Sequence, residues 1–126
     1  ARKDGMAGIA DAVCKGSLSA ASRAENPVTT AFVRESLMRQ DAAGYAHHCE
    51  ALSTMEPADH SAIRCPTLLI AGDADPVAPV AMGTALKNRI AGARLEVLPN
   101  VGHWMMIEAP ARSSALLLET LEAAQA

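Results

Sequence analysis

Thr67-Leu68-Leu69-Ile70-Ala71-Gly72-Asp73-Ala74-Asp75-Pro76 decides the fold. Behind Pro66 comes a short, unbroken apolar run, ended by a Gly/Asp/Pro breaker. A run of this kind suits a strand covered on both faces, as in a parallel sheet. Val80 to Ile90 then carries an amphipathic helical pattern stopped by Gly92. Arg94-Leu95-Glu96-Val97-Leu98 alternates as a second strand, and Pro99-Asn100-Val101-Gly102 is a turn. Thr67 to Leu98 is therefore a strand–helix–strand unit of about the length a βαβ crossover needs, which makes the strands parallel. Pro110 opens a last helix through Leu116, Leu117, Leu118 and Leu121.

The residues before this unit read as helices. Gly5 to Val13 is short and Ala-rich, and Lys15 to Ser22 is small and polar, read as a loop or frayed helix. Asn26-Pro27 is a helix-start signal, and Val28, Phe32, Val33, Leu37 and Met38 form one apolar face behind it. Asp41 caps a further helix in which Tyr45, Cys49 and Leu52 share a face. Glu56-Pro57-Ala58-Asp59-His60 is a linker. The chain so divides into a helical portion, 1–60, and an α/β portion, 61–126.

A length of 126 residues fits one ordinary domain. Half the residues are hydrophobic, but Phe32, Tyr45 and Trp104 are the only aromatics, so the core is lean and packed through Ala. The net charge of −3 lacks the basic excess of a nucleic-acid binder. Cys14, Cys49 and Cys65 are widely spaced with no CxxC pair, which points to a reducing, cytoplasmic compartment. No apolar run approaches the ~18 residues of a membrane span, and Ala1-Arg2-Lys3-Asp4-Gly5 has no signal-peptide pattern behind it.

The carboxyl ends of two parallel strands share one edge, outside which open α/β sheets bind ligands. Asp75 lies four residues past Ala71, and His103 five past Leu98. Adjacent strands are ~4.8 Å apart, so acid and imidazole can meet above that edge. A carboxylate on one ring nitrogen fixes the tautomer and stabilises the imidazolium, as a general base requires.

The residues also match a family pattern. Pro66 to Pro79 resembles the acid-bearing strand and loop of α/β-hydrolases: an apolar strand, Gly-x-x-Asp, and a Pro four residues later. Gly102-His103-Trp104-Met105-Met106-Ile107-Glu108-Ala109-Pro110 resembles their histidine loop, Gly-His followed by Glu-x-Pro and the final helix. The resemblance implies the carboxyl-terminal part of an α/β-hydrolase fold, two parallel strands with flanking helices, preceded by lid-type helices. In detail the chain resembles 3-oxoadipate enol-lactonases, through Gly5-Met6-Ala7, Gly44-Tyr45-Ala46, Cys49-Glu50-Ala51 and Met82-Gly83.

Carried over by position, Asp75 is the acid of the triad and His103 the base. Asp73, the competing acid, is read as bonding the amides of its own turn. Trp104, Met105 and Met106 either line the acyl pocket or pack the last helix, and Glu108 belongs to a helix start. The nucleophile of the family sits in Gly-x-Ser-x-Gly. No Ser, Cys or Asp here has a Gly two residues before it, and no Gly-rich turn could build an oxyanion hole. The expectation is a carboxyl-terminal portion of a longer Ser-His-Asp hydrolase of an ester or lactone, inactive alone. It would pair with the missing amino-terminal portion, or self-associate through open strand edges. The alternatives are a non-catalytic binding or assembly chain, or a haloperoxidase, epoxide hydrolase or dehalogenase on the same scaffold. His47-His48-Cys49-Glu50 has metal-ligand types without a second cluster and is read as structural or lid-facing. Arg23, Arg34 and Arg39 either bind a substrate carboxylate or lie on a solvated face. No nucleotide fingerprint is present and no cofactor is expected.

Overall fold

Short polar side chains close the amino-terminal ends of three helices that precede the sheet. Ser19 Oγ accepts from the Ser22 amide at 3.0 Å, Asn26 Oδ1 from Thr29 at 3.2 Å and Asp41 Oδ2 from Gly44 at 2.6 Å. The computed structural model describes residues 1–125. It begins with α1 (Ala7–Ser17), α2 (Ala20–Glu25), α3 (Pro27–Met38) and α4 (Ala42–Ser53). A single 3-10 turn, His60–Ala62, leads to β1 (Leu68–Gly72), α5 (Val80–Lys87) and β2 (Arg94–Leu98). The chain continues through α6 (Met105–Glu108) into α7 (Pro110–Gln125). Among the described residues no helix is long and apolar enough to cross a membrane.

β1 and β2 pair in parallel, in register from Leu68 opposite Arg94 to Gly72 opposite Leu98. Helix α5 is the crossover that parallel pairing demands. Two apolar clusters result. Ala10, Cys14, Leu18, Val33 and Leu37 join α1 to α3, with Tyr45, Trp104 and Ile107 packed against them. Leu98, Val101 and Leu116 join β2 and its turn to α7, with Leu68, Ile70 and Met105 alongside.

Local expectation and structure part at several points. Of the two readings of Lys15 to Ser22, loop or frayed helix, the structure has helix on both sides of a break at Leu18 and Ser19. Burial of Cys14, Ser17 and Leu18 holds the last turn of α1, and Ser17 Oγ bonds back to the Val13 carbonyl at 2.7 Å. The face of α3 that packs is Thr29-Val33-Leu37; Val28 and Phe32 are 75% and 54% exposed. Leu68, Leu69 and Ile70 are half-buried rather than covered on both faces; among the described residues β1 pairs with β2 alone, so one edge and the side chains beside it are left uncovered. Helix α5 ends at Lys87, and a turn brings Ile90 into the interior before Gly92, at φ 74°. The four-residue α6 has no counterpart in the sequence reading.

Candidate active site

Because β1 and β2 run parallel, the turns that follow them leave from the same edge. Backbone bonds join the turns: the Asp73 amide donates to the Leu98 carbonyl and the Ala74 amide to that of Val101, both at 3.0 Å. Contrary to the sequence expectation, the Asp73 side chain does not bond the amides of its own turn among the described residues. Its Oδ1 accepts from the Asn100 amide at 2.7 Å, so it ties the acid loop to the turn after β2.

Asp75 points into this junction. Its Oδ1 accepts from the amides of Val77 at 2.8 Å and Ala78 at 3.0 Å. Its Oδ2 lies 2.9 Å from His103 Nδ1. The Asp75 side chain is fully buried, while that of His103 is 40% exposed. Burial pushes the Asp75 carboxyl up, but the Ala78 amide, the His103 ring and the Val77 amide outweigh it and hold it below the usual carboxylate range. A carboxylate acceptor at Nδ1 selects the Nδ1–H tautomer and leaves the Nε2 lone pair as the base.

The depressed Asp75 carboxyl has a consequence for stability. An unfolded Asp titrates near 3.9. A lower folded value means the unfolded chain binds the proton more tightly, so the stabilisation is present above about pH 4 and lost as pH falls through the folded value. Asp75→Asn, which cannot titrate, is expected to flatten the acid fall of Tm in that window. Identical acid slopes for the two proteins in thermal melts would contradict the assignment.

His103 is held by its neighbours. Its amide donates to the Ser17 carbonyl at 2.7 Å, and Trp104 Nε1 donates to Ser17 Oγ at 3.0 Å. Glu108, read from sequence as part of a helix start, lies in the first turn of α6 and also bonds this loop. Its carboxylate accepts from the amides of Gly102, Trp104 and Ser19.

A cavity of about 630 Å³ lies between the helices and His103, a volume in the range of small-molecule sites. Val13, Leu37, Tyr45, Val77 and Trp104 supply its apolar wall, and Ser17, Gln40 and His48 its polar groups. Of the three residues considered for an acyl pocket, Trp104 lines this cavity. Met105 borders a recess of about 160 Å³ that also touches Asp75 and His103, and packs against the Leu98–Val101–Leu116 cluster. Met106 faces a separate groove with Val28 and Phe32. Consecutive residues of a helical turn point about 100° apart, which separates Met105 from Met106.

His48 is thus cavity-lining, and no group of three or more metal-ligand side chains exists among the described residues. The three arginines do not line the cavity. Arg34 pairs with Asp11 at 2.8 Å, Arg23 donates to the Leu18 carbonyl, and Arg39 is exposed. Sequence reasoning missed Val77, Gln40 and Ser17 as lining residues. Val77 alone carried a signal, by following the acid.

A family model described as the alpha/beta hydrolase family matches residues 7–116. Over 77 residues the chain is 38% identical to 3-oxoadipate enol-lactonase 1 of Acinetobacter baylyi, covering 60% of this chain and 29% of that protein. The solved enol-lactonase of Burkholderia xenovorans is 32% identical, with a TM-score of 0.89 over 96% of this chain and 46% of its own. A thermophilic esterase of Thermogutta terrifontis matches with a TM-score of 0.93 at 21% identity, over 99% of this chain and 47% of its own, which is a likeness of fold. The chain spans about half the length of these structures, and less of the curated relative.

Proposed function

The chain belongs to the alpha/beta hydrolase family, and we propose that it carries the acid and base of a Ser-His-Asp hydrolase of carboxylic esters or lactones. The observation that carries this reading is the 2.9 Å contact between a fully buried Asp75 carboxylate and a part-exposed His103 ring on the wall of the cavity. Asp75 holds Nδ1–H. Nε2 takes the proton of a serine hydroxyl as its oxygen attacks the substrate carbonyl. The imidazolium returns that proton to the departing alkoxide or enolate oxygen, leaving an acyl-enzyme. Nε2 then takes a proton from water, whose oxygen attacks the acyl carbon, and returns it to the serine as the acid leaves.

The serine comes from outside residues 1–126 in this reading. Among the described residues no hydroxyl or thiol is hydrogen-bonded to the His103 ring. Ser17 shares the cavity, but its hydroxyl already donates to Val13 and accepts from Trp104. Helices α1 to α4, within 1–60, act as a lid over the site, and 61–126 as the core that bears acid and base. The unpaired edge of β1 takes a further strand from the portion that bears the nucleophile. An enol-lactone is the substrate class favoured by the two enol-lactonase relatives, at 38% and 32% identity, and that of 3-oxoadipate is favoured by the first of them. Three free cysteines suit a cytoplasmic setting.

The test is turnover of aryl esters and of an enol-lactone by the whole protein that carries this chain, beside residues 1–126 alone. Turnover by the whole protein and none by the lone chain are expected. A whole protein inert toward every ester and lactone tried would contradict the reading.

A further inference from the structure

We propose that Glu108 is a positioning residue for His103, a clamp that fixes the histidine loop to the base of the lid helices. The proposal rests on the reading of His103 as the base. Three consecutive amides cross the loop at His103, and each has a fixed acceptor. The Gly102 amide donates to Glu108 Oε2 at 3.1 Å, that of His103 to the Ser17 carbonyl at 2.7 Å, and that of Trp104 to Glu108 Oε1 at 3.2 Å. Glu108 Oε2 also accepts from the Ser19 amide at 2.9 Å. One carboxylate therefore grips the loop on both sides of His103 and, with its remaining capacity, the link between α1 and α2.

The packing around the clamp leaves no slack. Ser17, Ser19 and Gly102 are buried. A Cβ on Gly102 would lie 2.4 Å from the Ser17 carbonyl oxygen, 2.6 Å from the Ser19 nitrogen and 2.9 Å from Glu108 Oε1. Glycine lets the loop approach the lid closely enough for the carboxylate to span both. Burial pushes the Glu108 carboxyl up, but the Ser19 amide, the Ser22 hydroxyl and the Gly102 amide outweigh it and keep it ionised, as a charge-assisted acceptor. The ring of His103 has one fixed partner, Asp75, so its aim depends on a backbone that cannot rock. A base displaced by about 1 Å can cost ~10²-fold in rate.

The experiment compares the whole protein with Glu108→Gln and Glu108→Ala. Gln keeps the shape but presents an NH₂ where an acceptor is needed; Ala leaves three amides unpaired. The readouts are kcat and KM for an aryl ester, and the downfield proton NMR signal of His103 Nδ1–H. The expected result is a kcat lower by roughly 10- to 100-fold, KM within about threefold, and a shifted or broadened Nδ1–H signal. A folded Gln variant with kcat within twofold of the parent would overturn the proposal. So would a lower kcat with an unmoved Nδ1–H signal, because the loss would then not pass through the ring. Amide hydrogen exchange in the parent protein decides the matter even where both variants fail to fold. The Gly102, His103 and Trp104 amides must be protected, and exchange at the rate of exposed loops overturns the clamp. A parent protein with no turnover but protected amides and an Nδ1–H signal that moves in the Gln variant would sink the hydrolase reading and leave the clamp standing.

Discussion

Replacing His103 by Ala in the whole protein is expected to lower ester or lactone turnover by roughly 10⁴-fold or more. In the proposed cycle the ring takes and returns a proton in both halves of acyl transfer, and His103 is the ring that the Asp75 carboxylate supports. Asp75→Asn should cost nearly as much. An amide at Nδ1 can present its NH₂ and stabilise the wrong tautomer, and it removes the charge that supports the imidazolium. Asp73→Asn serves as the contrast. Asp73 is exposed and accepts one bond, from the Asn100 amide at 2.7 Å. An Asn oxygen can accept the same bond, so turnover should stay within about threefold. Steady-state rates on one aryl ester check all three. Equal losses at Asp73 and Asp75 would mean the acid is wrongly assigned, and a His103→Ala variant within tenfold of the parent would remove His103 from the base role.

Gly72→Ala is expected to be the most damaging single methyl group in the fold. A Cβ there would sit 2.1 Å from the Val101 carbonyl oxygen and 2.6 Å from that of Gly102. Both obstacles are backbone, and the Val101 carbonyl also accepts the Ala74 amide at 3.0 Å. Relief requires the end of β1 to part from the turn after β2, which breaks the junction that brings Asp75 to His103. Overpacking against flexible side chains costs ~1–3 kcal/mol, and a rigid backbone obstacle should exceed that. A drop in Tm of about 10 °C or more, or failure to fold, is therefore expected. Gly8→Ala is the control. It lies within α1 with nothing within 4 Å of the added carbon, and should stabilise by about 0.5–1 kcal/mol. Thermal melts of the two variants within about 2 °C of the parent and of each other would contradict this account of the junction.

The parallel strand pair was legible because its signals are local. An apolar run with a Gly-Asp breaker gave β1 to within a residue, and alternation gave β2 at Arg94–Leu98. Once two strands are parallel, their carboxyl ends share an edge, so counting residues beyond each end allows Asp75 and His103 to meet; the resemblance to the acid and histidine loops of α/β-hydrolases is what singled them out. Other features depend on distant partners and carry no local sign. Lys15 to Ser22 is rich in loop-forming Gly and Ser, yet burial of Ser17 and Leu18 keeps it largely helical. Glu108 looks like a residue before a helix, and its bond to Ser19, 89 positions away, exists only in the folded chain. Gln40, in the turn after α3, and His48, in α4, are ordinary polar residues until the fold brings them to the cavity beside His103. Met106 shares its sequence neighbourhood with Trp104, but the turn of α6 sends it to another groove.

Covalent trapping of the nucleophile bears on the whole scheme. The intact protein, treated with a fluorophosphonate and digested for mass spectrometry, should carry one phosphonyl adduct on a serine outside residues 1–126. That adduct should be lost in His103→Ala, because the hydroxyl attacks only when Nε2 takes its proton. An adduct on Ser17 or any other residue of this chain, or labelling undiminished in His103→Ala, would contradict the account.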